Sequence, residues 1–168
     1  MTVTLEASMV PDYTYYRPAA SEDELSTYFA ARLDLHRVET EVPFPLRSDR
    51  WWVHLVDADA DWDEEAARIG ITTAVMVLLV FEPAKGLRAD ESHQANAALF
   101  AAIIDQLNDT PGLTGLLQHG DVQVLIERPR GGPTLLDTSL ADPQDHHRGN
   151  HLGPVLSQGT LTNLPDLD

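Results

Sequence analysis

Eight consecutive apolar residues, "AVMVLLVF" from Ala74 to Phe81, constrain this chain more than any other stretch. The run is too short to cross a bilayer and too rich in β-formers to read as a loop. With its flanks, "ITTAVMVLLVFEP" (71–83), it reads as the central strand of a sheet. The strands and helices around it then have to supply its cover.

"WWVHLVD" (51–57) reads as a second strand, with Trp52, His54 and Val56 on one face. "LTGLLQHGDVQVLIERPRGG" reads as a hairpin: Leu116 and Leu117 in one strand, the turn near His119-Gly120-Asp121, and Val122 to Glu127 in the other. "PTLLDTS" adds a short strand, and alternation over residues 2–6 suggests another. "PDYTYYRP" carries Tyr13, Tyr15 and Tyr16 between two prolines.

Two helices stand out. Ser21 and Glu24 form an S-x-x-E capping box, and Leu25, Tyr28, Phe29, Arg32, Leu33 and His36 follow at helical spacing, so a helix is expected over about 22–37. Leu99, Phe100, Ile103, Ile104 and Leu107 mark one buried face of a second helix, roughly 90–108, which "NDTPG" stops. A further helical turn fits 62–69. Pro43 and Pro45 exclude helix from "EVPFPLRSDR".

The sum is an α+β fold. We expect an antiparallel or mixed sheet of about five strands with two main helices packed on one face. The chain suits one domain, able to bury roughly two thirds of its unfolded surface. That domain spans 1–139. Residues 140–168 hold Pro143, Pro154 and Pro165 and no apolar period, which reads as an irregular C-terminal tail.

Composition narrows the function. Eleven basic residues against 27 acidic ones give a formal charge of −16. Such a field repels phosphate backbones and anionic membranes and attracts basic partners. No nucleic acid and no membrane is therefore expected among its partners. With no cysteine, thiolate chemistry and Cys-ligated zinc are excluded. The opening residues lack the basic start and long apolar core of a signal peptide, and a cytoplasmic location is expected.

Few motifs have the residue types of a chemical site. Asp145, His146, His147 and His151 in "DHHRGNH" have the ligand types of a zinc site. A proline- and glycine-rich tail supplies no rigid frame for one, so a solvated tail is the simpler reading. Asp57, Asp59 and Asp61 match the start of an EF-hand loop. Trp62 then replaces its glycine, and Arg68 stands where its final glutamate belongs.

His54 has the chemistry of a base, with Asp57 near it in sequence, but strand histidines are commonly satisfied structurally. Ser157 has no G-x-S-x-G context. "RPRGGP" (128–133) suggests anion binding less than an exposed turn. No catalytic residue, metal site or cofactor is assigned, and the chain reads as a non-enzyme.

A surface remains. Six acids, Asp57, Asp59, Asp61, Asp63, Glu64 and Glu65, flank Trp62 within nine residues. Charge that speeds encounter, beside an aromatic that supplies buried area, suits the binding of a basic protein. The same residues also suit a tryptophan folded into the core beside a solvated acidic loop. Tyr13, Tyr15 and Tyr16 form a second candidate contact patch.

The strand "VMVLLVFEPAKG", the helix ending "AAIIDQLNDTPG" and the unit "LLQHGDVQVLIERPRGGPTLLD" together resemble one bacterial immunity family. These are the immunity proteins of the swarming-inhibition toxin system, of the third type, and the resemblance covers roughly residues 70–137. It implies a small cytoplasmic protein, without a catalytic motif, that binds and neutralises a cognate toxin. The alternatives are a metal-dependent enzyme using the histidine-rich tail, or an acidic regulatory subunit with a basic, DNA-binding partner.

Overall fold

A computed structural model of the chain describes residues 12–120, 122–142 and 152–167. The strand expected at 2–6, Asp121 of the hairpin turn and the cluster Asp145, His146, His147 and His151 lie outside the described residues.

The strands are β1 (Tyr13–Pro18), β2 (His36–Arg37), β3 (Leu46–Arg47), β4 (Trp51–Asp57), β5 (Met76–Pro83), β6 (Gly115–His119), β7 (Gln123–Arg128), β8 (Leu135–Asp137) and β9 (Thr160–Thr162). The helices are α1 (Glu22–Leu33), α2 (Asp63–Arg68), α3 (Ala89–Asp109) and α4 (Gly153–Leu156). Among the described residues, nine strands join one mixed sheet in the order β2-β3-β4-β5-β1-β6-β7-β8-β9. Only the β8–β9 pair is parallel among these neighbours.

The α+β expectation holds, but the sheet is larger than the five or so strands expected. The apolar run does form an interior strand, β5, paired to β4 on one side and β1 on the other. The middle place belongs to β1, the tyrosine segment. Its flanking prolines do not interfere, because Pro18 is its last residue.

Both main helices form. Ser21 caps α1 by accepting a hydrogen bond from the Glu24 N–H at 3.0 Å. The helix ends at Leu33, short of the expected 37, because Asp34 turns left-handed at φ 56 and donates its N–H to the Ala30 carbonyl. His36 then enters an edge strand. At the start of α3 the Glu91 carboxylate reaches back to the Arg88 N–H at 3.0 Å.

Side-chain alternation sends Tyr13, Tyr15, Val53, Val77, Leu79, Phe81 and Leu117 to one face of the sheet. There they meet Leu25, Phe29 and Leu33 of α1 and Leu99, Phe100, Ile103 and Leu107 of α3. Edge-on aromatic pairs join the layers, Phe29 to Phe81 at 5.3 Å and Tyr13 to Phe100 at 5.6 Å between ring centroids.

The opposite face has its own smaller core. Tyr16, Met76, Leu78, Leu116 and Val124 pack with Ala66 and Ile69 from the α2 region and with Leu164 and Leu167. The cover is thus two-sided at this end rather than confined to one face.

Residues 152–167 depart from the irregular tail that their composition suggests. Leu152, Leu164 and Leu167 are buried, β9 pairs with β8, and the Leu167 N–H reaches the Val122 carbonyl at 2.8 Å. Long-range pairing orders a segment with no local periodicity of its own.

Candidate functional site

The second face of the sheet is only partly covered. Register aligns its side chains in rows. Val56, Leu78, Tyr16 and Leu116 form the first, at the edge of the smaller core. His54, Val80, Thr14 and Gln118 form the next. Arg47, Trp52 and Glu82 form the third, and Asp12, one residue before β1, stands at its end. Thr14, Val80, His54, Trp52 and Glu82 are half-buried, and Arg47 is exposed.

A hydrogen-bonded chain runs across the open rows. Trp52 Nε1–H donates to His54 Nδ1 at 3.2 Å, and His54 Nε2 lies 2.5 Å from Glu82 Oε2. An indole nitrogen only donates, so Nδ1 is the acceptor and Nε2 carries the proton that goes to Glu82. Both imidazole nitrogens are engaged. His54 therefore holds the Glu82 carboxylate in place and offers no free lone pair for base chemistry.

Asp57 is not its partner. Three residues along a strand put the two side chains on opposite faces.

Beside this chain is a cleft of about 630 Å³, lined in part by Asp12, Arg47, Asp49, Trp52, Glu82 and Lys85. The Arg47 guanidinium sits 4.9 Å over the Trp52 ring. The Asp12 carboxyl is raised above its ordinary value, first by burial and then by the Glu82 charge, with His54 opposing. Asp12 is anchored by its backbone, whose carbonyl accepts from the Gly120 N–H at 3.0 Å in the hairpin turn. Gly120 takes the positive φ, 65, that the turn requires.

No protein-family model, no curated protein and no solved structure matches this chain.

The acidic segment lies at the far end of β4 from this cleft. Asp57 ends that strand, and Asp59 caps the following 3-10 turn by accepting from the Asp61 N–H at 2.9 Å. Asp63 accepts from the Thr73 hydroxyl at 3.2 Å. Asp57, Asp59, Asp61, Asp63 and Glu64 are exposed, while Trp62 and Glu65 are half-buried. Burial, then Glu64, raises the Glu65 carboxyl.

Trp62 packs against the smaller core, the cluster that holds Tyr16. It is thus anchored at the core edge with part of its surface open.

Tyr13, Tyr15 and Tyr16 do not form a contact patch, for all three are buried. Tyr15 donates to Gln106 Oε1 at 2.9 Å and Tyr16 donates to Gln118 Oε1. In the middle strand of a covered sheet, tyrosines serve the core.

The "RPRGGP" arginines bind the fold itself. Arg128 donates to the Leu107 carbonyl at 2.8 Å and to Thr134 Oγ1 at 3.2 Å, and Arg130 reaches the Gly70 carbonyl at 3.4 Å. Ser157 donates to the Pro154 carbonyl at 2.9 Å. Among the described residues no group of three or more potential ligands converges on a metal position, the Asp57–Asp59–Asp61 set included.

Sequence reading missed the cleft. Trp52 and His54 were visible as alternate residues of one strand and Glu82 as the charge ending the apolar run. What joins them to Arg47 and Asp12 is strand pairing across long sequence separations, and that leaves no local signal.

Proposed function

We propose that this protein is a non-enzymatic, cytoplasmic binding protein that engages a basic protein partner, and that the partner is a cognate bacterial toxin which it neutralises. The observation that carries this reading is the run of exposed carboxylates from Asp57 to Glu64, fixed at the end of a sheet strand, on a chain of net charge −16. The Asp59 and Asp63 carboxylates are held by hydrogen bonds and lose little freedom on binding, so part of this field acts on a partner from a fixed geometry. The open part of Trp62 beside them supplies apolar area at the same place.

The same field disfavours a nucleic-acid ligand. Among the described residues no helix is long and apolar enough to cross a membrane.

The test is affinity capture from the source cells at low and moderate salt, followed by co-expression of the captured protein with and without this chain. The reading requires one stoichiometric, basic partner whose toxicity the chain suppresses. A partner that is harmless alone, or no partner in either salt, refutes it.

A further inference from the structure

We propose that the cleft between Asp12, Trp52 and Glu82 seats a guanidinium group, the side-chain terminus of an arginine on the partner. The inference rests on the basic-partner reading only for the owner of that arginine. At about 630 Å³ the cavity is of the size that holds a ligand group, and it opens at the end of the sheet where β3, the start of β4 and the exit of β5 meet.

Its lining is specific. Glu82 is oriented by His54, which is oriented in turn by Trp52, so one carboxylate presents a fixed edge. A planar fork of N–H donors matches such an edge in a way a compact ammonium does not. Asp12 and Glu82 each lie next to the Tyr13–Phe81 pair in the register and line the same cavity, and a cation beside both relieves their repulsion. Trp52 already takes one guanidinium on its ring, that of Arg47, so the aromatic in this lining suits a planar cation.

The other charged groups at the rim are Asp49, Arg47 and Lys85. Three carboxylates against two cations leave the cleft net acidic. An incoming cation is favoured and an anion is not.

The experiment is a titration of the full, 15N-labelled chain with N-acetylarginine N-methylamide, following the indole N–H resonance of Trp52, identified by its loss in Trp52→Phe. The citrulline analogue, equal in shape but uncharged, and the lysine analogue are run beside it. The inference requires a saturable shift with the arginine probe, a weaker response to lysine and none to citrulline.

The double variant Asp12→Asn, Glu82→Gln keeps both side-chain shapes and an acceptor for His54. Binding should weaken in it by roughly tenfold or more. An unsaturable shift, an equal response to citrulline, or a double variant that binds as well overturns the cleft. Saturable arginine binding together with failure to capture any basic protein supports the cleft and refutes the proposed function. Capture of a toxin whose affinity ignores the double variant, with no arginine binding, does the reverse.

Discussion

His54 Nε2 and Glu82 Oε2 meet at 2.5 Å across the β4–β5 pairing, from residues that sit diagonally on adjacent strands. Each side chain is about two-fifths exposed, 38% in both cases, so the pair contributes orientation more than stability. His54→Leu should change stability by no more than about 1 kcal/mol in urea unfolding. It should also shift the Trp52 indole N–H resonance, which loses its acceptor. A much larger loss would place His54 in the core.

Asp12 carries a sign that can be checked. Its carboxyl is raised above 3.8 in the fold, so the folded chain holds a proton where the unfolded chain has lost it. Stability conferred by that proton falls as pH rises from about 3.8 through the raised value. Asp12→Asn removes this penalty. The variant should equal or exceed the parent in stability at pH 7, and its advantage should vanish as the pH drops toward 3.8. A variant less stable than the parent at pH 7 would contradict the assignment.

Two of the close-approach glycines stand against buried core side chains. A methyl group at Gly115 would lie 2.9 Å from Leu107 Cδ2 and 2.9 Å from Tyr15 Cε1, and one at Gly159 would lie 2.7 Å from Leu136 Cγ. Each alanine substitution should cost about 1–3 kcal/mol by overpacking. Gly159→Ala should in addition speed amide exchange in β9, since it pushes that segment off β8. Unaltered exchange and stability would mean that the C-terminal segment is not held as described.

Arg68 Nε donates to Glu127 Oε1 at 2.9 Å, tying α2 to β7, and both side chains are largely buried. Removing one partner leaves the other charge without its match. Glu127→Ala should therefore cost about 3–5 kcal/mol, and Arg68→Met with Glu127→Leu should recover most of it. Thermal melts of the single and paired variants measure this. An unchanged melt for Glu127→Ala would show the pair to be solvated.

Legibility in the sequence tracked the range of the forces involved. The helix α3 and the strands β4, β5, β6, β7 and β8 were readable because burial leaves a local mark, an unbroken apolar run in β5 and apolar positions on one face of α3. The cap at Ser21 was readable because its hydrogen bond joins residues three apart, while the end of α1 was not, since His36 keeps the helical spacing after Asp34 has left the helix. The two-residue strands β2 and β3 have too few residues to show alternation.

The segment β1 was hidden by its prolines, although Tyr13 and Tyr15 alternate as a strand requires. Within the candidate site, Trp62 illustrates the limit well. Sequence marked it as an aromatic among acids, but only the fold shows it packed beside Tyr16 with one side open. The Trp52–His54–Glu82 chain depends on register, which no short window of sequence contains.

The central claim is that exposed carboxylates beside Trp62 bind a basic protein. Reversing Asp59, Asp61 and Glu64 to lysine covers the surface, but Asp59→Lys also deletes the cap on the Asp61 N–H. Asp61→Lys with Glu64→Lys is the cleaner pair, because both residues are exposed. The decisive measurement is the affinity of this double variant for the captured partner, by titration calorimetry at two salt concentrations, with melting temperature as the control. The account predicts an unchanged melt, affinity weakened by roughly tenfold or more at low salt, and a smaller difference at high salt. Equal affinity of variant and parent at low salt would contradict it.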